Sequence, residues 1–291
     1  MITNILLIVT ILLSTICILI LVKQKHPSVI NYIISSLIFI ICYFCGGWIY
    51  LSLYLKYILL IAFIITSLFY FARYQRGNKA GIFNYFWKFI LIILLIIPEY
   101  NYFTSRIYHS ESMNLNFPLK DGKYDILMGG SNKFVNFIHY NTPFSIYAYD
   151  IVKLNSLGSR ANTIFPKALE DYEIYGKKIY SPCSGKIISI DKNVPDNVPN
   201  ELNGKERAGN YVIIQNENRF IMLAHLRPNS IKINKNDSVK VNDYIGEAGN
   251  SGYSIEPHLH IEVHEQVSSN TIPVSIMFDN EFYTYNDIIK R

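Results

Sequence analysis

Two histidines separated by one residue, His258 and His260, lie near the end of the chain in the stretch GEAGNSGYSIEPHLHIEV, residues 246–263. The run HLHIEV predicts a strand, in which both imidazoles point to one face while Leu259 and Ile261 point to the other, toward a core. Two imidazoles on one face can serve a single metal ion or reaction centre. The spacing by itself also fits ordinary polar alternation on a half-exposed strand.

Three further residues could complete such a centre. His225 ends the apolar run FIMLAHL, Asp150 interrupts the apolar and aromatic strand IYAYDIV, and His139 lies upstream in FVNFIHYNTPF. A carboxylate in an apolar strand is costly unless it is paired or binds a metal. A catalytic zinc takes three ligands from His and Asp or Glu and leaves a fourth position for water. Alone, His225 is more typical of a core or rim histidine.

The remaining polar candidates have ordinary interpretations. His26 and His109 are expected to be solvated, and His264 is expected to be exposed at the end of its strand. Three of the four cysteines fall in apolar stretches, and Cys183 is interpreted as a small buried hydrophobe. The sequence therefore predicts no disulfide framework.

These residues occur in an order that resembles the lysostaphin-type or LytM-like zinc endopeptidases of metallopeptidase family 23, which cut peptide cross-links in bacterial peptidoglycan. The resemblance covers about residues 117–265. Besides the HLH motif it includes YGKKIYSPCSGKIISI and AGNYVIIQ, which are similar to the family's APxxGxV turn and GNxVxI strand. It implies a mostly antiparallel β domain of the duplicated hybrid motif type.

The resemblance also implies roles for the five residues. His139, Asp150 and His260 would bind one Zn²⁺, while His225 and His258 would face the attacking water or the oxyanion. The family's first motif is a compact HxxxD, whereas ten residues separate His139 from Asp150 here. A longer hairpin between ligand strands would accommodate this spacing.

Two rival functions stay open at this level. A non-catalytic LytM-like domain could bind peptidoglycan or regulate a partner, although such domains usually lack one or more of the metal ligands. Alternatively, the apolar segments could form a transporter or sensor, but they lack acidic residues for ion coupling. The absence of an HExxH helix excludes the thermolysin arrangement.

Short β-branched and aromatic runs separated by turn residues would position the site. The runs KIISI, NYVIIQ, RFIMLAHL, SIKI and HLHIEVH predict strands. Residues 191–209, rich in Pro, Gly and Asn, predict a long surface loop that forms a wall or lid. Residues 166–173 suggest a brief helix.

The first hundred residues predict a multi-pass α-helical membrane region. A bilayer-crossing helix needs about 20 mostly apolar residues, and four spans are expected, near 3–22, 28–45, 49–71 and 83–99. A cleaved signal peptide is the alternative for the first, but it lacks a charged n-region and a cleavage site. The fourth is interrupted by Lys88 and ends at Pro98. A linker over 101–116 and a peptidase domain over 117–291 would follow.

Basic residues set the expected orientation. They cluster after the first span and between the third and fourth, and short cytoplasmic loops carry such an excess. Four spans then place the N-terminus and the peptidase domain outside the cytoplasm of a bacterial cell. If the fourth did not cross, the second half would be cytoplasmic.

The positive charge belongs to this membrane region. Residues 1–105 hold seven basic residues and one acid, Glu99, whereas the whole chain carries +5. The second half is therefore nearly neutral, and no nucleic-acid groove is expected. The expected partners are peptidoglycan peptides and the lipid bilayer, with any regulatory membrane partner unidentified.

Overall fold

The computed structural model describes residues 2–24, 28–73, 82–108, 111–202 and 207–291. It divides into two compact units. The first comprises residues 1–104 and 157–159, and the second comprises residues 105–156 and 160–291.

The first unit is helical, because its sequence consists of apolar runs long enough to satisfy their own backbone hydrogen bonds. Three helices are long and apolar enough to cross a membrane, over Ile5–Lys23, Leu53–Ala72 and Tyr85–Thr104. The remaining apolar helix, Val29–Cys45, has 17 residues, somewhat fewer than a bilayer crossing usually needs. All four predicted helices are present, whereas only three meet the length for a span. The helices are α1 (Ile2–Lys23), α2 (Val29–Cys45), α3 (Leu53–Ala72) and α4 (Ile82–Thr104).

The second unit is mostly β, as the sequence predicts. Its one short α-helix in the described residues is α5 (Phe137–Tyr140). Its strands are β1 (Ser112–Leu115), β2 (Lys123–Met128), β3 (Tyr149–Leu154), β4 (Lys178–Tyr180), β5 (Gly185–Asp191), β6 (Asn210–Asn216), β7 (Arg219–Leu226), β8 (Ser238–Val239), β9 (Tyr244–Glu247), β10 (Leu259–Val267), β11 (Asn270–Phe278) and β12 (Ile288–Lys290).

Ten of these strands form one sheet in the order β12-β2-β3-β10-β7-β6-β5-β8, with β11 pairing to β10 and β1 to β11. Every pair in this sheet is antiparallel except β1 with β11. The remaining two strands, β4 and β9, pair with each other. In this arrangement β3, β10 and β7 lie side by side.

The core lies behind the face that carries the histidines. Leu259 and Ile261 are fully buried in the main hydrophobic cluster, together with Ile151 of β3 and Leu223 of β7. The predicted alternation along HLHIEV is therefore confirmed. Burial of these side chains fixes the register of β10, since a slip of one residue would turn the histidines into the core.

Several local predictions differ from the structure. Within the predicted linker, residues 101–104 continue α4 and Ser112–Leu115 forms β1, which pairs with β11 and buries Met113 and Leu115 in the core. The SIKI run is wrong as a strand: its apolar side chains alternate inward without any ladder. The helix near 166–173 is a single 3₁₀ turn, Leu169–Asp171.

The predicted hairpin before Asp150 is also wrong. His139 lies on α5, and a series of turns leads from there to β3.

Candidate metal centre

Strand pairing brings the candidate residues together from distant parts of the sequence. His260 on β10 is opposite Asp150 on β3 and, on its other side, opposite Ala224 on β7. His225 follows Ala224 directly, and His258 immediately precedes β10. Strand β10 thus brings His258 and His260 next to Asp150 of β3 on one side and His225 of β7 on the other.

The Asp150 carboxylate lies at the centre of the cluster. Its Oδ2 is 3.2 Å from His139 Nε2, and its Oδ1 is 2.9 Å from His260 Nδ1 and 3.4 Å from His258 Nε2. All four residues are buried, with no more than 9% of their surface exposed. A buried carboxylate needs such partners, or a cation, to offset the loss of hydration.

The donor atoms suit a tetrahedral metal ion. Two groups of three residues each have donor atoms within 4.8 Å of one another, His139–Asp150–His260 and His225–His258–His260. Zinc bonds of about 2.0–2.1 Å at tetrahedral angles separate ligand atoms by about 3.3 Å. In the first group His139 Nε2 lies 3.2 Å from Asp150 Oδ2 and His260 Nδ1 lies 2.9 Å from Asp150 Oδ1, so each histidine is near that distance from a different oxygen of the carboxylate. That group also supplies an anionic ligand for a dication, which the second lacks.

His139 is held in place by a neighbour that the sequence interpretation did not identify. His139 Nδ1 lies 2.9 Å from Asn136 Oδ1, and the amide of Asn136 donates to the carbonyl oxygens of Ile146 and Ala148, both at 3.1 Å. Because that amide group is engaged as a donor, its oxygen accepts the His139 Nδ1–H. His139 Nε2 is therefore left facing Asp150.

Backbone carbonyls orient the other two imidazoles. His225 Nδ1 donates to Ser251 O at 2.8 Å, and His258 Nδ1 donates to Glu256 O at 2.8 Å. A carbonyl can only accept, so both rings carry a proton on Nδ1, and His258 Nε2 is the nitrogen that faces Asp150 Oδ1 at 3.4 Å. The two rings are neighbours, with centroids 4.7 Å apart.

His225 also has an unusual backbone conformation. Its φ is +60°, a region that non-glycine residues rarely occupy. Two backbone hydrogen bonds hold it in this conformation. The His225 N–H donates to Ala208 O at 3.0 Å, and the His225 carbonyl oxygen accepts from Gly249 N–H at 3.0 Å. Such local strain is typical of functional sites.

Charge within the cluster is distributed unevenly. Burial opposes ionisation of Asp150, but the imidazoles beside it hold the pKa of its carboxyl well below the usual range. Burial likewise opposes protonation of His260, yet its contacts with Asp150 and Glu262 raise its pKa to about 10. Burial and the neighbouring imidazoles lower the pKa of His225 well below its usual value. The cluster thus combines an anionic carboxylate with a neutral His225 at neutral pH.

The long loop over 191–209 is hydrogen-bonded to a neighbouring turn through Asn197. Asn197 Nδ2 donates to Gly252 O at 2.6 Å and to Ser254 O at 2.8 Å, and its backbone N–H donates to Asn250 O at 3.0 Å. These contacts tie the loop to the glycine turn before β10. The predicted loop is confirmed, with its position fixed by Asn197.

We expect Asn197→Ala to loosen this turn. The change leaves the buried carbonyl of Ser254 without its donor, which costs about 1–3 kcal/mol, and it removes one of the two donors to Gly252 O, whose other donor is Ser254 N–H. Hydrogen–deuterium exchange of the full chain should show faster exchange over residues 249–256. Asn193→Ala, an exposed position in the same loop, is the control and should exchange as the wild type does. Unchanged exchange in Asn197→Ala would contradict the assignment of the turn to this side chain.

Glu262 is a further residue of this cluster that the sequence motifs do not indicate. This glutamate is buried and lies 3.4 Å from His260 Nε2. It lies on the same face of the strand as His258 and His260, and this alternation is the signal that could have found it. His264, expected to be exposed, is partly buried and donates from Nε2 to Phe144 O at 2.9 Å. His26 and His109 lie outside the described residues.

Comparison with known proteins gives partial matches. An "Uncharacterized metalloprotease" of Buchnera aphidicola subsp. Baizongia pistaciae (strain Bp) is 41% identical over 83 residues, which is 28% of this chain and 20% of that protein. The chain therefore matches only about a fifth of the length of this curated relative.

Two solved structures are also similar. One is a zinc-containing peptidase from Vibrio cholerae, with 23% identity, a TM-score of 0.33, and coverage of 56% of this chain and 39% of that one. The other is a putative glycyl-glycine endopeptidase LytM from Ruminococcus gnavus, with 16% identity, a TM-score of 0.35, and coverage of 70% and 73% respectively.

A family profile matches part of the second unit. Residues 170–273 match Peptidase family M23. This segment contains His225, His258 and His260, whereas His139 and Asp150 precede it and join the cluster through α5 and β3. The chain therefore contains a domain of peptidase family M23 over residues 170–273.

Proposed function

We propose that this protein is a zinc-dependent endopeptidase that hydrolyses peptide bonds in peptidoglycan stem peptides or cross-bridges. The observation that carries the proposal is the buried Asp150 carboxylate, which has imidazole nitrogens within 3.4 Å on three sides. Such a set is expensive to bury without a cation between its members.

In this proposal His139, Asp150 and His260 hold one Zn²⁺. Bound there, the ion supplies Lewis-acid polarisation of the scissile carbonyl and acidifies a water molecule. Three protein ligands leave a coordination position open, which distinguishes catalytic from structural zinc sites. Asn136 fixes the ring of His139, so this ligand does not depend on its short helix alone.

His225 and His258 are the proposed catalytic pair. Each ring keeps its proton on Nδ1, through the carbonyls of Ser251 and Glu256, and turns Nε2 away from that bond. An imidazole in this state can take a proton from water or, once protonated, give one to the leaving amine. It can also donate to an oxyanion. Their adjacent rings would place both functions at one scissile bond.

The helical unit supports a location at a membrane. Three helices have the length and apolarity of membrane spans, and we propose that they anchor the domain at the outer face of a bacterial membrane, where peptidoglycan is within reach. For the N-terminus and the domain to share one side, α2 must cross as well. Its 17 residues can do so where the bilayer is locally thin.

The test uses the full chain purified in detergent. We expect about one zinc per chain by elemental analysis, and new amine termini by mass spectrometry after incubation with purified peptidoglycan. Removal of the metal with a chelator should abolish the new termini, and added Zn²⁺ should restore them.

The same experiment decides against a non-catalytic scaffold. A chain that binds peptidoglycan without zinc and without releasing termini would overturn the proposal in favour of a binding or regulatory domain. Zinc-dependent cleavage of general protein substrates, with none of peptidoglycan, would keep the chemistry and overturn the substrate.

A further inference from the structure

A buried carboxylate next to the candidate metal ligands has no role in the mechanism described above. Glu262 lies two residues after His260 on β10, at the next position on the face that carries His258 and His260, opposite Met222 on β7. It is 7% exposed. A carboxylate in such a place is destabilising unless its oxygens have partners, so its contacts indicate why it is there.

Both Glu262 oxygens face histidine nitrogens. Oε2 lies 3.4 Å from His260 Nε2, and Oε1 lies 3.5 Å from His264 Nε2. The other ring nitrogen of His260, Nδ1, lies 2.9 Å from Asp150 Oδ1. The His260 imidazole is therefore placed between two carboxylates, one at each nitrogen.

When a metal ion takes the place of one ring proton, this placement decides which nitrogen of His260 keeps its N–H. A neutral imidazole has one N–H donor and one lone-pair acceptor, and a carboxylate can only accept. An N–H directed at Glu262 leaves the lone pair on Nδ1, which is the nitrogen beside Asp150. Metal-binding histidines commonly donate their other N–H to such a partner, which fixes the tautomer and the ring orientation.

We propose that Glu262 is a positioning residue that accepts the Nε2–H of His260 and so presents Nδ1 to the metal ion. The inference rests on the proposed zinc site and adds a residue to it. Glu262 does not touch the metal or the substrate in this scheme; it acts through His260 alone.

The experiment compares Glu262→Met with Glu262→Gln in the full chain in detergent. Methionine has a similar length and no strong acceptor, and apolar replacements of buried charges are often tolerated. Glutamine keeps an acceptor oxygen at the same place. Glu265→Ala is the control on the same strand, since Glu265 pairs with Arg219 instead.

Two measurements do not depend on turnover. The first is the zinc dissociation constant, obtained by competition with a chromophoric chelator, and the second is the visible absorption spectrum of the Co²⁺-substituted chain. We expect Glu262→Met to bind zinc about 10- to 100-fold more weakly and to shift the Co²⁺ bands. Glu262→Gln and Glu265→Ala should stay close to the wild type in both.

Each result decides the matter. Wild-type affinity and spectrum in Glu262→Met would overturn the inference, and so would equal losses in the Met and Gln variants, because the amide oxygen can still accept. A wild-type chain that binds neither metal would instead overturn the proposed zinc site. If Glu262→Met does not fold, Glu262→Gln compared with Glu262→Leu decides on the same two measurements.

Discussion

His260→Ala should reduce bound zinc from about one per chain to background and abolish peptide hydrolysis. Four-ligand zinc sites bind with about 10–16 kcal/mol, so one ligand contributes roughly 3–4 kcal/mol, or about 10²- to 10³-fold in affinity. The loss should be at the upper end here, because removing this ring also leaves Asp150 and Glu262 without a shared partner.

The measurement is elemental analysis of the full chain after dialysis, together with the peptidoglycan cleavage assay. His264→Ala is the matched control, since it removes the same type of side chain four residues along β10 and belongs to neither candidate ligand group among the described residues. It should keep its zinc. Normal zinc content in His260→Ala would show that the metal is held elsewhere.

Replacement of His225 should also reduce turnover, but the variant should retain its zinc. General acid–base catalysis by a positioned side chain contributes about 10²- to 10⁴-fold, and we expect kcat to fall by that factor. Alanine is strained at φ +60°, so His225→Asn is the better variant, because asparagine is enriched in this region.

The paired variant is His139→Ala, which should lose zinc. These two changes separate the two groups of donors that the cluster contains. If zinc is held by His139, Asp150 and His260, it survives in His225→Asn and not in His139→Ala. The reverse result would place the metal among His225, His258 and His260 and would remove His225 from the catalytic pair.

The sequence was most informative where residues able to bind a metal lie on strands with a clear alternation of apolar and polar side chains. An acid in an apolar strand and two histidines at spacing two identified Asp150, His258 and His260, and the structure places these three residues together. The alternation was readable because Leu259 and Ile261 must reach the core. Glu262 follows the same rule and was overlooked only because a glutamate on a strand is usually solvated.

The predictions that failed concern segments whose structure depends on contacts with residues far away in the sequence. Ser112–Leu115 is a four-residue segment within a polar stretch, and it pairs as a strand with β11, over 150 residues later. The SIKI run has the alternation of a strand, but no neighbour forms a ladder with it. Nothing local to His139 indicates that Asn136 would orient its ring, because the carbonyls that fix Asn136 lie in the turns that lead to β3.

The register of β10 against β3 has a consequence for how the protein matures. His260 and Asp150 are 110 residues apart in sequence, and pairings over such distances form slowly because loop closure must precede them. The two proposed ligands therefore come together only when the central strand has closed against its earlier neighbour. A chain in which this closure has not occurred has no complete binding set, so acquisition of the ion would mark the chains that have finished folding. The free energy of that acquisition would then stabilise the completed sheet over every partly assembled state.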